Sequence, residues 1–332
     1  MSRGKGIVLV SGGLDSLLAA RILMEQDLEM IGFHAVLPFV APDADPEGLK
    51  PVRSASRIHL RVQVHRCDKE YIDVIRNPAH GYGKHANPCI DCHIYFIKKA
   101  AEYMREMNAD FVATGEVVGQ RPMSQMRHTM NHIEKEAGLA GRLLRPLSAQ
   151  LLKPTIPEQN GTVDRDRLLG INGRSRKDQF ELARRYGIDE YQSPSGGCLF
   201  TDRYIARRVQ DLIARHGEAE AVDFYLLTIG RHYRISDGAK IIIPRNEPEN
   251  RELEKYRHVS DYFFIPGFKG PAVFVKGQIT DDDMAFIGSA MLRYGKAGSE
   301  APVVIVYKDR TEIKKIPVTG TTTDEKLETL RI

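Results

Sequence analysis

A glycine-rich hexapeptide near the start of the chain has the residue types of a phosphate-binding loop. Residues 11–16 read Ser-Gly-Gly-Leu-Asp-Ser, and they lie between the apolar run 6–10 and the helix-like run 17–23. We expect a buried strand to turn through this loop into a helix, where unpaired N–H groups and two glycines let an anion approach the backbone. No Lys-Ser or Lys-Thr pair ends the loop, so it differs from a Walker-A loop. An ordinary strand–turn–helix junction is the alternative.

A second polar segment follows another expected strand, at residues 110–114. It reads Thr114-Gly115-Glu116-Val117-Val118-Gly119-Gln120-Arg121-Pro122-Met123-Ser124-Gln125. A strand end followed by a glycine-bearing loop is suited to face a nucleotide, because ligands of parallel sheets bind at the carboxyl ends of the strands. The nucleotide-binding residues predicted from the two loops are Ser11, Gly12, Gly13, Asp15, Ser16, Thr114, Gly115, Glu116 and Gln120.

Three of the four cysteines are candidates for metal or redox chemistry. Cys89 and Cys92 lie in the run Asn-Pro-Cys-Ile-Asp-Cys-His, where Asn87 is expected to cap a helix and Pro88 to begin it. The two thiols would then share one face of the first turn, where the helix dipole favours thiolates. Cys198 follows a Gly-Gly pair, which leaves room for a cofactor and a sharp turn of the chain.

The hexapeptide at 11–16 resembles the PP-loop of the ATP pyrophosphatases, and residues 114–125 resemble the TGExxGQxxSQ signature of the ThiI-type tRNA 4-thiouridine synthetases. The resemblance implies an adenine nucleotide alpha hydrolase-like fold, ATP cleaved to AMP and pyrophosphate, Mg²⁺, and a tRNA uridine as substrate. It also implies a catalytic role for Asp15. Because the sequence starts directly at the PP-loop, we expect the THUMP domain and the rhodanese tail to be absent and another segment to hold the tRNA.

The Asn-Pro-Cys-x-x-Cys run with a distant third cysteine resembles the cluster-dependent tRNA thiolases of the TtuA type. This resemblance implies that Cys89, Cys92 and Cys198 are catalytic residues and metal ligands that hold a [4Fe–4S] cluster, whose open iron carries sulfide. Soft thiolate ligands suit such a cluster. A persulfide or disulfide relay, a zinc site completed by His85 or His93, and inert thiols are the alternatives.

Alternating strands and helices in the first half predict an α/β fold, a mostly parallel sheet with helices on both faces. The expected strands are 6–10, 30–37, 61–66, 110–114 and 143–147, and the expected helices are 14–26, 89–107, 123–137 and 174–187. The proline-rich segment 38–57 is expected to be a long loop. Short β-like runs around a helix at 281–295 predict a smaller C-terminal α+β domain. The predicted domains are 1–200, a helical connector at 201–225, and 226–332.

Basic residues occur in two places that could meet a polyanion. Residues 165–185 contain seven Arg or Lys and three Asp or Glu, which fits either an RNA contact or a solvated helix face. The region from 226 resembles, less specifically, the NFACT-R RNA-binding domain. That resemblance implies base stacking by Tyr233 and phosphate contacts by Arg231, His232, Arg234, Lys240 and Arg245. A small accessory or dimerisation module, forming a homodimer, is the alternative.

The composition is that of a globular protein without a targeting signal. The chain has 332 residues, of which 42% are hydrophobic and 28% charged, and a formal net charge of +4. No apolar run approaches the roughly 20 residues of a membrane span, so we expect a cytoplasmic protein with no membrane partner. Four cysteines in such a protein argue against a disulfide scaffold, and Cys67 is expected only to pack in the core.

These features together predict a tRNA sulfurtransferase that adenylates a uridine carbonyl oxygen and replaces it with sulfur, forming 4-thiouridine at tRNA position 8. Sulfide, or sulfur derived from a cysteine desulfurase, is the expected donor. The alternatives are 2-thiolation of uridine or cytidine, an amide-forming PP-loop ligase, and a non-catalytic RNA-binding protein with a vestigial nucleotide fold.

Overall fold

The structure is a computed structural model that describes residues 4–192, 198–296, 298 and 301–332. The chain divides into two compact units, one made of residues 1–206 and 219–222 and the other of residues 207–218 and 223–332. A parallel sheet lies in the first unit and an antiparallel sheet in the second. The predicted α/β fold followed by a smaller α+β part is therefore confirmed.

The first unit is built on a five-stranded sheet in the order β3-β2-β1-β4-β5. Its strands are β1 (Lys5–Leu9), β2 (Glu29–Val36), β3 (Val62–Arg66), β4 (Phe111–Ala113) and β5 (Leu143–Leu144). β1 pairs in parallel with both β2 and β4, so it is a central strand. Ile7 and Val8 are fully buried in different core clusters, one on each face of the sheet. A strand covered on both faces requires such a continuous apolar run.

Helices cover both faces of this sheet. The described helices are α1 (Leu14–Met24), α2 (Lys50–Ser56), α3 (Lys69–Arg76), α4 (Cys89–Glu106), α5 (Arg127–Glu136), α6 (Ile156–Gln159) and α7 (Lys177–Tyr186). On one face, α1 and α7 contribute Leu17 and Ala183 to a common core cluster. On the other face, α4 and α5 contribute Ile97 and Ile133. The arrangement leaves the ends of β1 and β4 to carry the two polar loops.

Two expectations for the first unit are wrong. The segment 38–57, expected to be a loop, contains α2, and its Pro51 lies in the first turn, where a missing N–H removes no helical hydrogen bond. The helix expected over 123–137 begins only at Arg127. Met123 has a φ of 72°, a left-handed conformation that is incompatible with a helix at this point.

The second unit contains a six-stranded antiparallel sheet in the order β11-β10-β8-β9-β7-β6. Its strands are β6 (Arg231–Ser236), β7 (Ala239–Ile243), β8 (Tyr262–Pro266), β9 (Val273–Lys276), β10 (Val303–Lys308) and β11 (Thr311–Pro317). The other α-helices in the described residues are α8 (Arg203–Arg215), α9 (Ala221–Leu226), α10 (Glu247–Lys255), α11 (Asp281–Tyr294) and α12 (Asp324–Leu330). Ile287 and Met291 of α11 pack on Phe264 and Val304 of the sheet. Across the described residues, no helix combines the length and the apolar character that a membrane span requires.

Candidate active site

The loop at residues 11–16 joins β1 to α1 and is organised by its own serines. The Ser16 hydroxyl donates to the Gly13 carbonyl over 2.8 Å and accepts from the Ser11 N–H over 3.3 Å. Gly12 has a φ of 80°, and a Cβ there would lie 3.0 Å from Pro51. Helix α1 begins after Gly13 without a side-chain cap. No side chain therefore blocks the start of α1 from an anion, although the Ser16 N–H donates to the Gly13 carbonyl over 3.2 Å.

Asp15 lies in the first turn of α1 and is held by two side chains from distant loops. Its carboxylate accepts a hydrogen bond from Gln120 Nε2 at 2.7 Å and another from a terminal nitrogen of Arg176 at 3.2 Å. Gln179 in turn donates to Gln120 Oε1 over 2.8 Å. Two residues predicted to serve the nucleotide, Asp15 and Gln120, are thus brought into contact.

Gly115 brings the end of β4 directly against the start of α1. A Cβ at this position would lie 2.5 Å from the backbone carbonyl carbon of Asp15 and 2.5 Å from the backbone nitrogen of Ser16. Real Cβ atoms do not approach other atoms so closely, so the contact requires glycine. The segment 114–125 is therefore in backbone contact with the loop at 11–16.

Glu116 belongs to a buried ion-pair network. One carboxylate oxygen accepts from His93 Nδ1 at 3.0 Å, and the other accepts from the Thr114 hydroxyl at 3.0 Å and from Arg145 Nε at 3.1 Å. Arg145 also binds Glu134 over 2.7 Å. Burial alone would raise the pKa of Glu116, but His93 and Arg145 hold that pKa below its ordinary value. The carboxylate predicted to face a nucleotide is thus engaged with protein groups.

His93 links this network to Cys89. Burial lowers the pKa of His93, but its hydrogen bonds to Cys89 and Glu116 raise the pKa above the ordinary value. Burial likewise opposes ionisation of Cys89, yet the hydrogen bond with His93 and the charge of Arg121 lower the net pKa of this thiol. The pair therefore favours a thiolate beside an imidazolium, the state in which cysteine is a nucleophile and a metal ligand.

Cys92 and Cys198 lie within electrostatic reach of Cys89 but stay protonated more readily. Cys92 is buried, and its sulfur is 3.0 Å from the Tyr71 hydroxyl. Burial raises the pKa of Cys92, and the neighbouring Cys198 and Cys89 raise it further. Burial also raises the pKa of Cys198. Burial therefore opposes ionisation of Cys92, whereas the dipole at the start of α4 would favour it.

The first turn of α4 differs in one detail from the prediction. The helix begins at Cys89, but its N-cap is Pro88 rather than Asn87, and no side chain caps it. The loop before the helix is instead attached through Asp91, which accepts from the His80 backbone N–H at 3.0 Å and from His80 Nδ1 at 2.9 Å. Asp91 lies between the two cysteines in sequence, so this contact anchors the turn that carries them.

The donor set can be compared with what a metal centre requires. In the described ranges, no three side chains of His, Cys, Asp or Glu stand close enough together to hold a metal ion. Thiols are nevertheless the donor type that iron–sulfur clusters use, and Cys92 and Cys198 each interact electrostatically with Cys89. The turn predicted at Gly196 and Gly197 falls within residues 193–197, outside the described part of the chain. Cys67 is buried, which raises its pKa to about 12.

Three side chains that hold predicted residues in place were not found from the sequence: Tyr71, Arg145 and Gln179. Each acts on a partner from another element, and such pairing leaves no local pattern. The exception is Arg145, a basic residue inside the apolar run Leu-Leu-Arg-Pro-Leu. A charged residue in such a run must find a buried partner, and this signal could have pointed to Glu116 or Glu134.

Several C-terminal side chains predicted to contact RNA are buried in the second unit. His232, Tyr233 and Lys240 are 0%, 2% and 4% exposed. Arg234 forms two hydrogen bonds with Asp211, at 3.0 and 2.5 Å. The RNA-contact predictions for His232, Tyr233 and Lys240 are therefore wrong, because β6 and β7 direct these side chains into the interior of the unit.

Comparison with known families supports the two resemblances drawn from the motifs. Residues 1–154 match the family described as Thiamine biosynthesis protein (ThiI). Residues 230–331 match the family described as NFACT protein RNA binding domain. The motifs of the first unit and the composition of the C-terminal region each pointed to a family whose model the corresponding residues match.

Individual relatives are similar over part of their length. The chain is 34% identical over 131 residues to the tRNA-specific 2-thiouridylase MnmA of Leptospira interrogans, which is 35% of this chain and 34% of that protein. It is 27% identical over 241 residues to the enzyme of the same name from Chlorobium phaeovibrioides, covering 68% and 63%. The chain thus spans about a third of the length of the first relative.

Two solved structures are similar at low identity. One is a 4-thiouridine synthetase–RNA complex with bound ATP, at 20% identity and a TM-score of 0.40, covering 56% of this chain and 41% of that one. The other is the U34-tRNA thiolase NcsA from Methanococcus maripaludis with its [4Fe-4S] cluster, at 16% identity and a TM-score of 0.35, covering 68% and 70%.

Proposed function

We propose that this chain, which joins a ThiI-like PP-loop domain to an NFACT-type RNA-binding domain, is an ATP-dependent tRNA sulfurtransferase of the cytoplasm. It would activate a uridine carbonyl oxygen with ATP and replace that oxygen with sulfur, forming 4-thiouridine at tRNA position 8. AMP and pyrophosphate would be the products of ATP.

The observation that carries this proposal is that one segment reaches both a phosphate-binding loop and a thiol whose pKa is lowered. Gln120 donates to Asp15 at 2.7 Å. Four positions earlier, Glu116 binds His93, which hydrogen-bonds Cys89. An enzyme of this kind first activates a carbonyl oxygen with ATP and then delivers sulfur to the carbon that bears it. It therefore needs the phosphate-binding loop and the thiol held in a fixed arrangement.

Activation would take place at the loop of residues 11–16. The N–H groups at the start of α1 would bind the pyrophosphate end of ATP. The uracil oxygen attacks the α-phosphorus, and pyrophosphate leaves with the electrons of the α–β bridging bond. Mg²⁺ held by Asp15 would screen the charge of the phosphates. The adenylate formed in this way turns a poor oxygen leaving group into a good one.

Sulfur delivery would use the thiols, of which Cys89 is connected to this loop through His93 and the segment 114–125. A [4Fe–4S] cluster held by Cys89, Cys92 and Cys198 would supply sulfide, taken up either as free sulfide or as the persulfide sulfur of a cysteine desulfurase after two-electron reduction by an external thiol. Sulfide attacks the activated carbon, and AMP leaves with the electrons of the C–O bond. Cys89 is already biased towards the thiolate, whereas Cys92 and Cys198 would release their protons on binding the metal.

The second unit and the exposed basic residues of the first would hold the tRNA. The family match at residues 230–331 supports this role, and Arg174, which precedes α7, and Lys177, its first residue, are exposed. Phosphate contacts would make the affinity fall steeply with salt, with a log–log slope of about −3 to −6 for four to seven neutralised phosphates. Deleting residues from 226 onward should weaken tRNA binding more than ATP binding. If the second unit served dimerisation instead, the same deletion would change the oligomeric state.

A second candidate is 2-thiolation of a tRNA uridine or cytidine. The curated relatives with 34% and 27% identity are 2-thiouridylases, which favours this alternative. Activation by ATP would be the same, and only the position of the attacked carbonyl in the pocket would differ.

The test is to incubate the iron-reconstituted protein with ATP, sulfide and unmodified tRNA under anaerobic conditions and to separate the nucleosides. We expect 4-thiouridine together with AMP, and neither from Asp15→Ala. Cys89→Ala should abolish sulfur insertion, whereas the matched control Cys67→Ala should retain it. A 2-thio nucleoside would replace the main candidate by the second one. Production of ADP would contradict the proposed chemistry, and full activity of iron-free protein would contradict the cluster.

A further inference from the structure

Arg176 contacts the same carboxylate that the proposed function places at the pyrophosphate end of ATP. One terminal nitrogen of Arg176 lies 3.2 Å from Asp15 Oδ1, and the two side chains are each 17% exposed. This is one N–H on one oxygen, whereas arginine makes its strongest contacts with two nitrogens at once. A single contact of this kind is readily exchanged for a better one.

Two polar atoms beside this ion pair are buried and have no hydrogen-bond partner among the described residues. They are Arg176 Nε, a donor, and Gln179 Oε1, an acceptor. Gln179 is fully buried, and its amide nitrogen is already engaged with Gln120 at 2.8 Å. A buried polar atom without a partner is costly, and Arg176 Nε needs an acceptor whereas Gln179 Oε1 needs a donor. An anion supplies the acceptor that Arg176 Nε lacks.

The position of these residues also favours an anion. Arg176 is the N-cap of the ten-residue helix α7, and Gln179 lies in its first turn, where the helix dipole attracts negative charge. The guanidinium carbon lies 5.4 Å from the centre of the Phe180 ring. This flat surface supports the guanidinium on one side while its nitrogens exchange partners on the other.

We propose that Arg176 is a latch that passes from Asp15 to the phosphates. The pyrophosphate end of a nucleoside triphosphate accepts hydrogen bonds from Nε and a terminal nitrogen of Arg176. The identity of this ligand rests on the proposed function. Asp15 is released at the same time. Nucleotide binding therefore uncovers the carboxylate, and Asp15 is shielded by Arg176 until the phosphates arrive.

The latch predicts that removing the charge of Asp15 strengthens pyrophosphate binding. Removing the charge of Asp15 frees Arg176, so Asp15→Asn should bind magnesium-free pyrophosphate more tightly. This gain must depend on Arg176. A general electrostatic effect of removing one negative charge would give the same gain whether or not Arg176 is present.

The experiment is calorimetric binding of inorganic pyrophosphate in EDTA to full-length protein. We expect Asp15→Asn to tighten binding about tenfold and Arg176→Ala to weaken it about tenfold, the factor typical of a hydrogen bond to a charged group. In the Arg176→Ala background, Asp15→Asn should change the Kd less than about twofold. Arg176→Lys keeps the charge and loses the two-nitrogen contact, so it should bind as weakly as Arg176→Ala. Arg184→Ala, at the exposed far end of α7, is the matched control and should bind like the unmodified protein.

An equal gain from Asp15→Asn in both backgrounds, or full affinity of Arg176→Lys, would overturn the latch. Thermal unfolding midpoints of the variants establish that each is folded. The measurement involves neither tRNA, sulfur nor turnover. Loss of the latch with continued AMP formation would therefore remove this inference alone, whereas an intact latch with ADP as product would remove the proposed function.

Discussion

Replacing Glu116 with Gln should uncouple His93 from Cys89 while keeping the buried site filled. Glutamine offers one acceptor oxygen and one NH₂ donor. Its oxygen must face Arg145 and Thr114, which donate to the carboxylate at 3.1 and 3.0 Å. Its NH₂ then faces His93 Nδ1, which must accept and is therefore unprotonated. His93 becomes neutral, and Cys89 loses the cation that lowers its pKa.

The size of the effect follows from the charges involved. Loss of a neighbouring opposite charge changes a pKa by about 1 to 3 units, so the pH at which Cys89 ionises should rise by about that amount. Arg145 keeps its contact with Glu134 at 2.7 Å. The loss of stability should therefore be about 1.5–3 kcal/mol, the value of a hydrogen bond to a charged group, rather than the larger cost of leaving a buried charge unpaired.

The assay is the rate of iodoacetamide alkylation at Cys89 in iron-free protein, followed by peptide mass spectrometry between about pH 6 and pH 9. The unmodified protein should react at lower pH than Glu116→Gln, because a lowered pKa keeps the thiolate at lower pH. Glu134→Gln is the matched control, since it removes the other partner of Arg145 but leaves Glu116 on His93. Identical pH profiles for Glu116→Gln and the unmodified protein would refute the reasoning.

Three further outcomes are expected. Gly115→Ala should lose about 1–3 kcal/mol of stability and most ATP binding, because its Cβ would lie 2.5 Å from backbone atoms. Gly217→Ala is the control and should change neither property, because a Cβ at Gly217 would have no atom within 4 Å. His232 is buried, which holds its pKa far below the ordinary value. Below about pH 6.5, the unfolded chain therefore binds a proton at His232 that the folded chain does not. The free energy of unfolding should fall there by up to 1.4 kcal/mol per pH unit, and denaturant titrations of His232→Gln should lack this contribution. Cys89→Ala should lower the iron bound on anaerobic reconstitution, whereas Cys67→Ala should not, as metal analysis would measure.

The phosphate loop and its flanking elements could be predicted because their signals are local. The apolar run before residue 11, the glycines and the amphipathic run after them are all contained in about twenty residues, and strand, loop and helix each depend on neighbours in sequence. The start of α4 at Cys89 was predictable for the same reason. The N-cap of α4 was not predictable in the same way. The sequence allows a cap at Asn87 or at Pro88, and in the structure Pro88 occupies the cap position.

The roles of single side chains depended on contacts that no local pattern contains. Glu116 follows a strand, as a nucleotide ligand would, but His93 and Arg145 from two other elements hold its carboxylate. In β6, the consecutive residues His232 and Tyr233 are both buried, and every residue of β7 is buried, so both faces of these strands are covered. The sequence shows basic residues there but not the elements that cover them, so His232 and Lys240 were taken for surface contacts.

The segment 114–125 gives the site a property that neither loop has alone. Gly115 touches the backbone of α1, Glu116 reaches Cys89 through His93, and Gln120 holds Asp15. All three contacts are made by residues of one short stretch of backbone after β4. A shift of that stretch must therefore move all of them together. Gly115→Ala should therefore alter both pyrophosphate binding and Cys89 alkylation. Substituting a residue at only one end should alter one of them: Arg176→Ala should change pyrophosphate binding alone, and Glu116→Gln should change alkylation alone. If Gly115→Ala changed only one of the two measurements in a folded protein, the two sites would be positioned independently.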